Sequence, residues 1–173
     1  MCGYLILGAA IHEAAHIFLL KCIGIPVNSV KIGLGSVLIS HAPCRYWQEV
    51  LCAAAGPASN LLFGFLLMRR NADLACVNFL LGIGNMLPIY PLDGGRILYA
   101  VLAFFLDESK ARNIQKLVHT ITCMAMMIVA CWVTIAMQAG VWPIFAVMVL
   151  LLRIDGVRNG ENEKPVAFPQ SGS

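Results

Sequence analysis

Long apolar stretches separated by short polar segments dominate this chain. A helix needs about 20 apolar residues to cross a bilayer, and five windows of the chain approach that length. These windows are residues 1–20, 47–68, 72–90, 114–137 and 140–155. Residues 94–106 are also apolar, but they are fewer and follow a proline-rich break, which indicates a half-span or an interfacial helix. The pattern predicts an all-α polytopic membrane protein with about five transmembrane helices.

Two other segments break the helical pattern. Between Asn28 and His41, apolar residues alternate around the turn sequence Gly-Leu-Gly-Ser, which favours a short membrane-associated hairpin. The C-terminal tail is polar and contains two prolines, as is typical of disorder. We therefore expect one transmembrane domain at 1–156 and a disordered cytoplasmic tail at 157–173.

Composition and charge agree with a membrane location and add an orientation. The 173 residues are 60% hydrophobic and 12% charged, whereas a soluble domain is about a quarter charged. If the first span runs from outside to inside, ten of the twelve basic residues lie on the cytoplasmic side, and only Arg69 and Arg70 lie outside. This orientation leaves Met1 on the outer face, and one more helix upstream would account for that placement. The seven cysteines are an odd number without CxxC spacing, so we expect no disulfide framework.

The sequence His-Glu-Ala-Ala-His, residues 12–16, stands inside the first apolar window. On a helix, residues four apart share one face, so both imidazoles can reach one metal ion with Glu13 beside them as a base. An unpaired carboxylate at membrane depth costs at least about 2.5–3.5 kcal/mol, and a bound dication offsets that cost. The alternative is that both histidines hydrogen-bond to neighbouring helices and that Glu13 is protonated. The spacing of the three residues favours the metal.

A catalytic zinc site usually has three protein ligands and one open position, so a third ligand is expected at membrane depth. Asp93 lies between Pro91 and a Gly-Gly pair, in backbone that does not continue a helix. Irregular backbone at this depth is tolerated where it lines a protein or water-filled site. His41 and His119 are alternatives, but His41 belongs to a loop and His119 to an ordinary span. We therefore predict Asp93 as the third ligand, on a broken helix.

Two motifs together resemble a known family. HEAAH in one span and NMLPIYPLDGG in a later one are similar to the paired motifs of the site-2 protease family of intramembrane metalloproteases. The second motif is most similar to that of the sporulation branch, the stage IV sporulation protein FB type. AAAGPASN, residues 53–60, also resembles the family's Ala-Gly-Pro-x-x-Asn signature. The resemblance covers nearly all of residues 1–155, although that branch normally has six spans and this chain shows five.

The resemblance implies a metal centre with defined residues. It implies one zinc ion per chain, with His12, His16 and Asp93 as ligands and Glu13 as the catalytic base.

Three further residues are implied as substrate-binding or site-supporting. Asn85 and Pro91 belong to the later motif, where Met86 stands in place of the proline that follows the asparagine in other branches. Asn60 is the third, although an asparagine inside a span is more often a helix–helix contact.

The implied activity is regulated intramembrane proteolysis. The substrate would be a membrane-tethered protein precursor cut near the cytoplasmic side of the bilayer, and in the resembling branch it is a pro-sigma factor of sporulation. The implied location is a bacterial inner membrane, of the cell or around the forespore. Membrane-protein regulators are expected partners, and nucleic acid is not.

Two alternatives are an inactive zinc-binding relative and a divalent-metal transporter. Intact Glu13 argues against the first. A transporter needs acidic or histidine residues at several depths, whereas the interior of the spans after Asp93 offers only His119, and Gln138 lies just past the end of one of them.

Overall fold

The computed structural model describes residues 2–33, 36–42, 44–136, 141–145 and 147–149. The backbone divides into two compact units, one that contains Met1–Leu87 and one that comprises Pro88–Pro165.

The first unit contains three helices and a hairpin. Helix α1 spans Cys2–Ile23, strands β1 and β2 span Val27–Gly33 and Ser36–His41, and helices α2 and α3 span Tyr46–Leu67 and Ala72–Asn85.

Helix α1 ends at a glycine that turns the chain towards the hairpin. Gly24 adopts a φ of 79°, a conformation that glycine takes without steric cost. Its backbone N–H donates to the carbonyl of Lys21 at 3.1 Å, and the N–H of Ile25 donates to the carbonyl of Leu20 at 2.9 Å. These bonds satisfy carbonyls that the end of the helix leaves without an intrahelical partner.

The predicted hairpin is present as a two-stranded antiparallel sheet. Its register runs from Val27 opposite His41 to Gly33 opposite Ser36, with one irregularity between Val27 and Ser29. The N–H of Ala42 donates to the carbonyl of Pro26 at 3.1 Å and closes the open end.

The three helices of this unit pack on one another, α1 and α3 each against α2 and also against each other. The contacts use small buried residues, which let helix backbones approach closely inside a membrane. They include Gly8, Gly56, Gly64 and Gly82. A cluster of Leu20, Ile25, Cys44 and Cys52 fills the end of the unit next to the hairpin.

The second unit begins with irregular backbone and continues in two helices. The Tyr90–Pro91 peptide bond is cis, helix α4 spans Asp93–Phe105 and helix α5 spans Glu108–Ala136. The side-chain amide of Gln115 donates to the carbonyl of Gly95 at 2.9 Å and ties α5 to the first turn of α4.

The all-α membrane architecture is confirmed. Among the described residues, three helices are long and apolar enough to cross a bilayer, namely Gly3–Ile23, Tyr46–Leu67 and Glu108–Ala136. They correspond to the first, second and fourth predicted windows, and α4 is the predicted short helix.

Two predicted boundaries were wrong. The window 72–90 holds a helix of only 14 residues that ends at Asn85, because Pro88 and Pro91 have no N–H to donate to a continuing helix. Helix α5 begins at Glu108, before the predicted start at 114. Of the window 140–155, only residues 141–145 and 147–149 are described, and 142–145 and 147–149 are helical. The predicted tail 157–173 lies outside the described residues.

Candidate metal centre

Helix α1 places two histidine side chains one turn apart on the same face. His12 and His16 are 6% and 5% exposed, and their Nε2 atoms lie 3.1 Å apart. Two ligand atoms of a tetrahedral ion with bonds of about 2.0–2.1 Å lie about 3.4 Å apart. The separation of the two Nε2 atoms is close to that distance. The rings meet edge to face, with centroids 4.8 Å apart. The two imidazoles therefore converge at their Nε2 atoms.

Helix α2 holds both imidazoles at their other nitrogen. Nδ1 of His16 lies 2.6 Å from the carbonyl oxygen of Cys52, and Nδ1 of His12 lies 3.1 Å from Nδ2 of Asn60. A backbone carbonyl only accepts hydrogen bonds, so Nδ1 of His16 carries the hydrogen. Nε2 of His16 then presents its lone pair, as metal ligation requires.

A glycine on the same face of α2 makes room for the two rings. A Cβ atom at Gly56 would meet Nε2 of His16 and would lie 2.6 Å from Cε1 and Nε2 of His12. Real Cβ atoms do not approach other atoms so closely, and the rings are held at Nδ1. Gly56 therefore keeps the volume beside both Nε2 atoms open.

Asp93 begins helix α4 and is 6% exposed. Its Oδ1 lies 3.4 Å from Nη1 of Arg96, and the positive end of the helix dipole also favours a carboxylate in the first turn. A Cβ atom at Gly95 would lie 2.5 Å from the backbone nitrogen of Tyr90 and 2.6 Å from the carbonyl carbon of Ile89. Gly95, two residues after Asp93, thus permits the irregular segment to fold back over the start of the helix.

The predicted ligands His12, His16 and Asp93 form a group that could hold a metal ion. Each offers one ligand atom, and these atoms all lie within 4.8 Å of one another. Two imidazole nitrogens and a carboxylate oxygen suit zinc, and three protein ligands leave the open fourth position of a catalytic site. The converging Nε2 atoms and the volume left by Gly56 fit such an ion.

The two alternative third ligands are His119 and His41. Nε2 of His119 lies 3.7 Å from Sγ of Cys123 within α5, and His119 is not part of the three-residue group. His41 is the last residue of β2, and its side chain lies outside the described residues.

The other predicted residues occupy distinct positions. Glu13 is half-buried beside His12 on α1, and Pro91 is half-buried at the cis bond. Asn85 ends α3, and its amide donates to the carbonyl of Leu81 in its own helix at 2.9 Å. Asn60, for which the sequence favoured a helix–helix contact, has its amide against a predicted ligand.

Sequence reasoning missed the contributions of Cys52 and Gly56. Cys52, Gly56 and Asn60 follow one another at intervals of four, so they share one face of α2. The two histidines are also four residues apart. This shared interval was a signal in the sequence that one face of α2 could lie against the histidine face of α1.

Parts of the sequence are similar to proteins named as zinc metalloproteases. A model of peptidase family M50 matches residues 72–129. The zinc metalloprotease MJ0392 of Methanocaldococcus jannaschii is 28% identical in an alignment of 132 residues, and the match covers 65% of this chain and 38% of that protein. The protein named "Putative zinc metalloprotease Rip3" of Mycobacterium tuberculosis is 37% identical in an alignment of 109 residues, and the match covers 53% of this chain and 28% of that protein.

The fold is also similar to a solved structure. The site-2 protease from Methanocaldococcus jannaschii superposes with a TM-score of 0.63 at 19% identity, over 98% of this chain and 80% of that one. The matched segments thus span well under half the length of the two sequence relatives, while the backbone likeness extends over nearly the whole chain.

Proposed function

Since these comparisons support a place for the chain in the site-2 protease family, peptidase family M50, we propose that it is a zinc-dependent endopeptidase of membrane-tethered proteins. The observation that carries the proposal is the buried group of His12, His16 and Asp93. Burial of ionisable residues inside a membrane costs free energy, and the few that occur there usually mark a functional site.

In the proposed mechanism, His12, His16 and Asp93 hold the ion. A bound zinc ion supplies the Lewis acidity that polarises a scissile carbonyl. The carboxylate of Glu13 accepts a proton from the attacking water and then passes it to the leaving amine. The carbonyl of Cys52 keeps the imidazole of His16 in one orientation during this cycle.

Glu13→Gln in the purified full chain tests the mechanism. The variant should keep its zinc, because every ligand survives, and it should lose cleavage of a membrane-tethered substrate, because the amide cannot act as the base. Chelation of the wild-type protein should abolish cleavage, and added zinc should restore it. Undiminished cleavage by Glu13→Gln would overturn the assigned base.

Cleavage of the substrate and movement of zinc, both measured with the protein in sealed vesicles, separate the rival functions. A divalent-metal transporter would move zinc across the membrane without cleaving protein, and an inactive relative would bind zinc and do neither. The paired motifs and the intact Glu13 favour the peptidase over both.

The hairpin is proposed to hold the substrate. A helical substrate must unwind before its scissile bond is accessible, and an exposed strand edge can pair with the extended segment. Within the described part of the chain, each strand of the two-stranded sheet pairs on one side only, which supports this role. In a proline scan from Val30 to Ile39, cleavage should fall at alternate positions while zinc content persists, because proline removes a backbone donor. Uniform tolerance would leave the hairpin as a plug of the cytoplasmic side.

Asn85 and Pro91 are proposed to bind the substrate or support the site. Their place in the later motif, beside Asp93, supports this role.

The orientation proposed from the charges puts the hairpin and the C-terminal tail in the cytoplasm. In a cysteine-free background, a reagent that cannot cross the membrane should label a single cysteine at Asn71 from outside and should not label one at Gly160. The reverse labelling would invert the orientation.

The substrate class is proposed from the motif. The similarity of NMLPIYPLDGG to the sporulation branch supports a pro-sigma factor precursor in a bacterial inner membrane, with membrane-protein regulators as further partners. Cleavage of a tethered pro-sigma factor, with no cleavage of an unrelated tethered precursor of equal length, is the expected result. Equal cleavage of both would remove the sporulation role and leave the peptidase.

A further inference from the structure

The side-chain amide of Asn60 lies wholly inside the protein, against a predicted metal ligand. Asn60 is 0% exposed, and its Nδ2 lies 3.1 Å from Nδ1 of His12. Its other amide atom, Oδ1, is buried without a hydrogen-bond partner among the described residues. A buried acceptor without a hydrogen-bond partner destabilises the fold by about 1–3 kcal/mol. This cost raises the question of what the amide of Asn60 does at this position.

With Nδ2 towards His12, the hydrogen bonds form one directed chain. Asn60 donates to Nδ1 of His12, Nε2 of His12 donates to Nε2 of His16, and Nδ1 of His16 donates to the carbonyl of Cys52. In this arrangement the neutral ring of His12 carries its hydrogen on Nε2. That nitrogen then has no lone pair to offer a metal ion.

Ligation through Nε2 places the hydrogen of His12 on Nδ1 instead, and Nδ1 then needs an acceptor. The two ends of an amide are nearly isosteric, so a half-turn of the Asn60 side chain brings Oδ1 to the place of Nδ2. Oδ1 thereby accepts from His12, and Nδ2 takes the buried place that Oδ1 held. The hydrogen that leaves Nε2 is matched by one taken up at Nδ1, so the ring stays neutral.

We propose that Asn60 is a positioning residue of the metal centre, whose Oδ1 accepts from Nδ1–H of His12 and so fixes the tautomer that presents Nε2 to the ion. This inference rests on the metal centre of the proposed function, but not on proteolysis.

A second buried asparagine supplies a matched control. Asn78 is also 0% exposed, and its Oδ1 also lacks a hydrogen-bond partner among the described residues. Its Nδ2 donates to the carbonyl of Leu74 in its own helix at 2.8 Å. It shares the burial and chemistry of Asn60 without the contact to a ligand.

The test is the zinc affinity of the full-length, detergent-solubilised protein, measured by competition with a chelator. Asn60→Leu, which has no acceptor, should weaken zinc binding about 10–100-fold, as the loss of an outer partner of a ligand typically does. Asn60→Asp, which only accepts, should restore it. Asn78→Leu and Asn78→Asp should leave the affinity at its wild-type value.

Nitrogen-15 spectra of the histidine rings provide a readout that a packing role would not change. In the zinc-loaded wild type and in metal-free Asn60→Asp, Nδ1 of His12 should carry the hydrogen. If Asn60→Leu does not fold, the comparison of wild type with Asn60→Asp by affinity and spectrum still decides the matter.

Three results would overturn the inference. They are equal loss of affinity in Asn60→Asp and Asn60→Leu, wild-type affinity in Asn60→Leu, and absence of hydrogen from Nδ1 of His12 with zinc bound. A wild-type protein that binds no zinc would overturn the metal centre as well. A protein that binds zinc in the Asn60-dependent manner but cleaves nothing would overturn the proposed peptidase alone.

Discussion

Helix α1 contacts both α2 and α3 through the same kinds of residue, but the two contacts have different roles. Against α2 it meets Gly56 and Asn60, and against α3 its own Gly8 meets the helix that carries Asn78. Each contact combines a buried glycine with a wholly buried asparagine, as helix packing in membranes commonly does. Residue type and burial alone would therefore assign both contacts the same role.

The atoms on the other side of each contact separate them. A Cβ at Gly56 would meet imidazole nitrogens at or below 2.6 Å, whereas a Cβ at Gly8 would meet Cδ1 of Leu81 at 2.8 Å, with Cγ1 of Val77 and Oδ1 of Asn78 at the ordinary contact distances of 3.6 and 3.7 Å. The amide of Asn60 contacts His12, whereas that of Asn78 donates to its own helix. Small residues and buried amides thus indicate close helix packing. Only the atoms that they contact show whether they also support a metal site.

The largest effects are expected from the proposed ligands. His16→Ala or Asp93→Ala should lose stoichiometric zinc and proteolysis together, because each removes one of the three proposed ligands. Metal analysis and cleavage by the purified variants measure both quantities. Stoichiometric zinc in Asp93→Ala with undiminished cleavage would exclude Asp93 as the third ligand.

A methyl group added to each glycine should affect the two contacts differently. Gly56→Ala should weaken zinc binding strongly, because the rings cannot move away without losing their bonds at Nδ1. Gly8→Ala should leave zinc binding intact, because the ends of Leu81 and Val77 can shift, and it should lower only the thermal stability. Equal zinc affinity in the two variants would remove the distinction between the contacts.

The smallest effect is expected at Asn78. Asn78→Leu removes one hydrogen bond within a helix, and hydrogen bonds inside membranes are worth about 0.6 kcal/mol on average and about 1.7 kcal/mol at most. We therefore expect a change of that size in the free energy of unfolding, with zinc content and cleavage unchanged. Loss of zinc from this variant would show that the α1–α3 contact also supports the site.

Much of the metal centre follows from side-chain type and spacing in the sequence. The interval of four between His12 and His16 predicts their shared face, and the prolines and glycines around Asp93 predict irregular backbone there. The hairpin follows from alternation around Gly-Leu-Gly-Ser. These features depend on local geometry that a sequence pattern encodes directly.

Other features depend on long-range contacts that no local pattern encodes. The acceptor for His16 is the backbone carbonyl of Cys52, and every residue type carries such a carbonyl. The need for glycine at position 56 appears only when α1 lies against α2.

The X-ray absorption spectrum of zinc in the purified wild-type protein distinguishes the proposed ligands from thiolates, because seven cysteines offer a competing kind of ligand. If His12, His16 and Asp93 bind the ion, the spectrum should show a shell of nitrogen and oxygen at about 2.0–2.1 Å, with the outer scattering of two imidazoles. A sulfur shell at about 2.3 Å, retained in His16→Ala, would contradict that assignment.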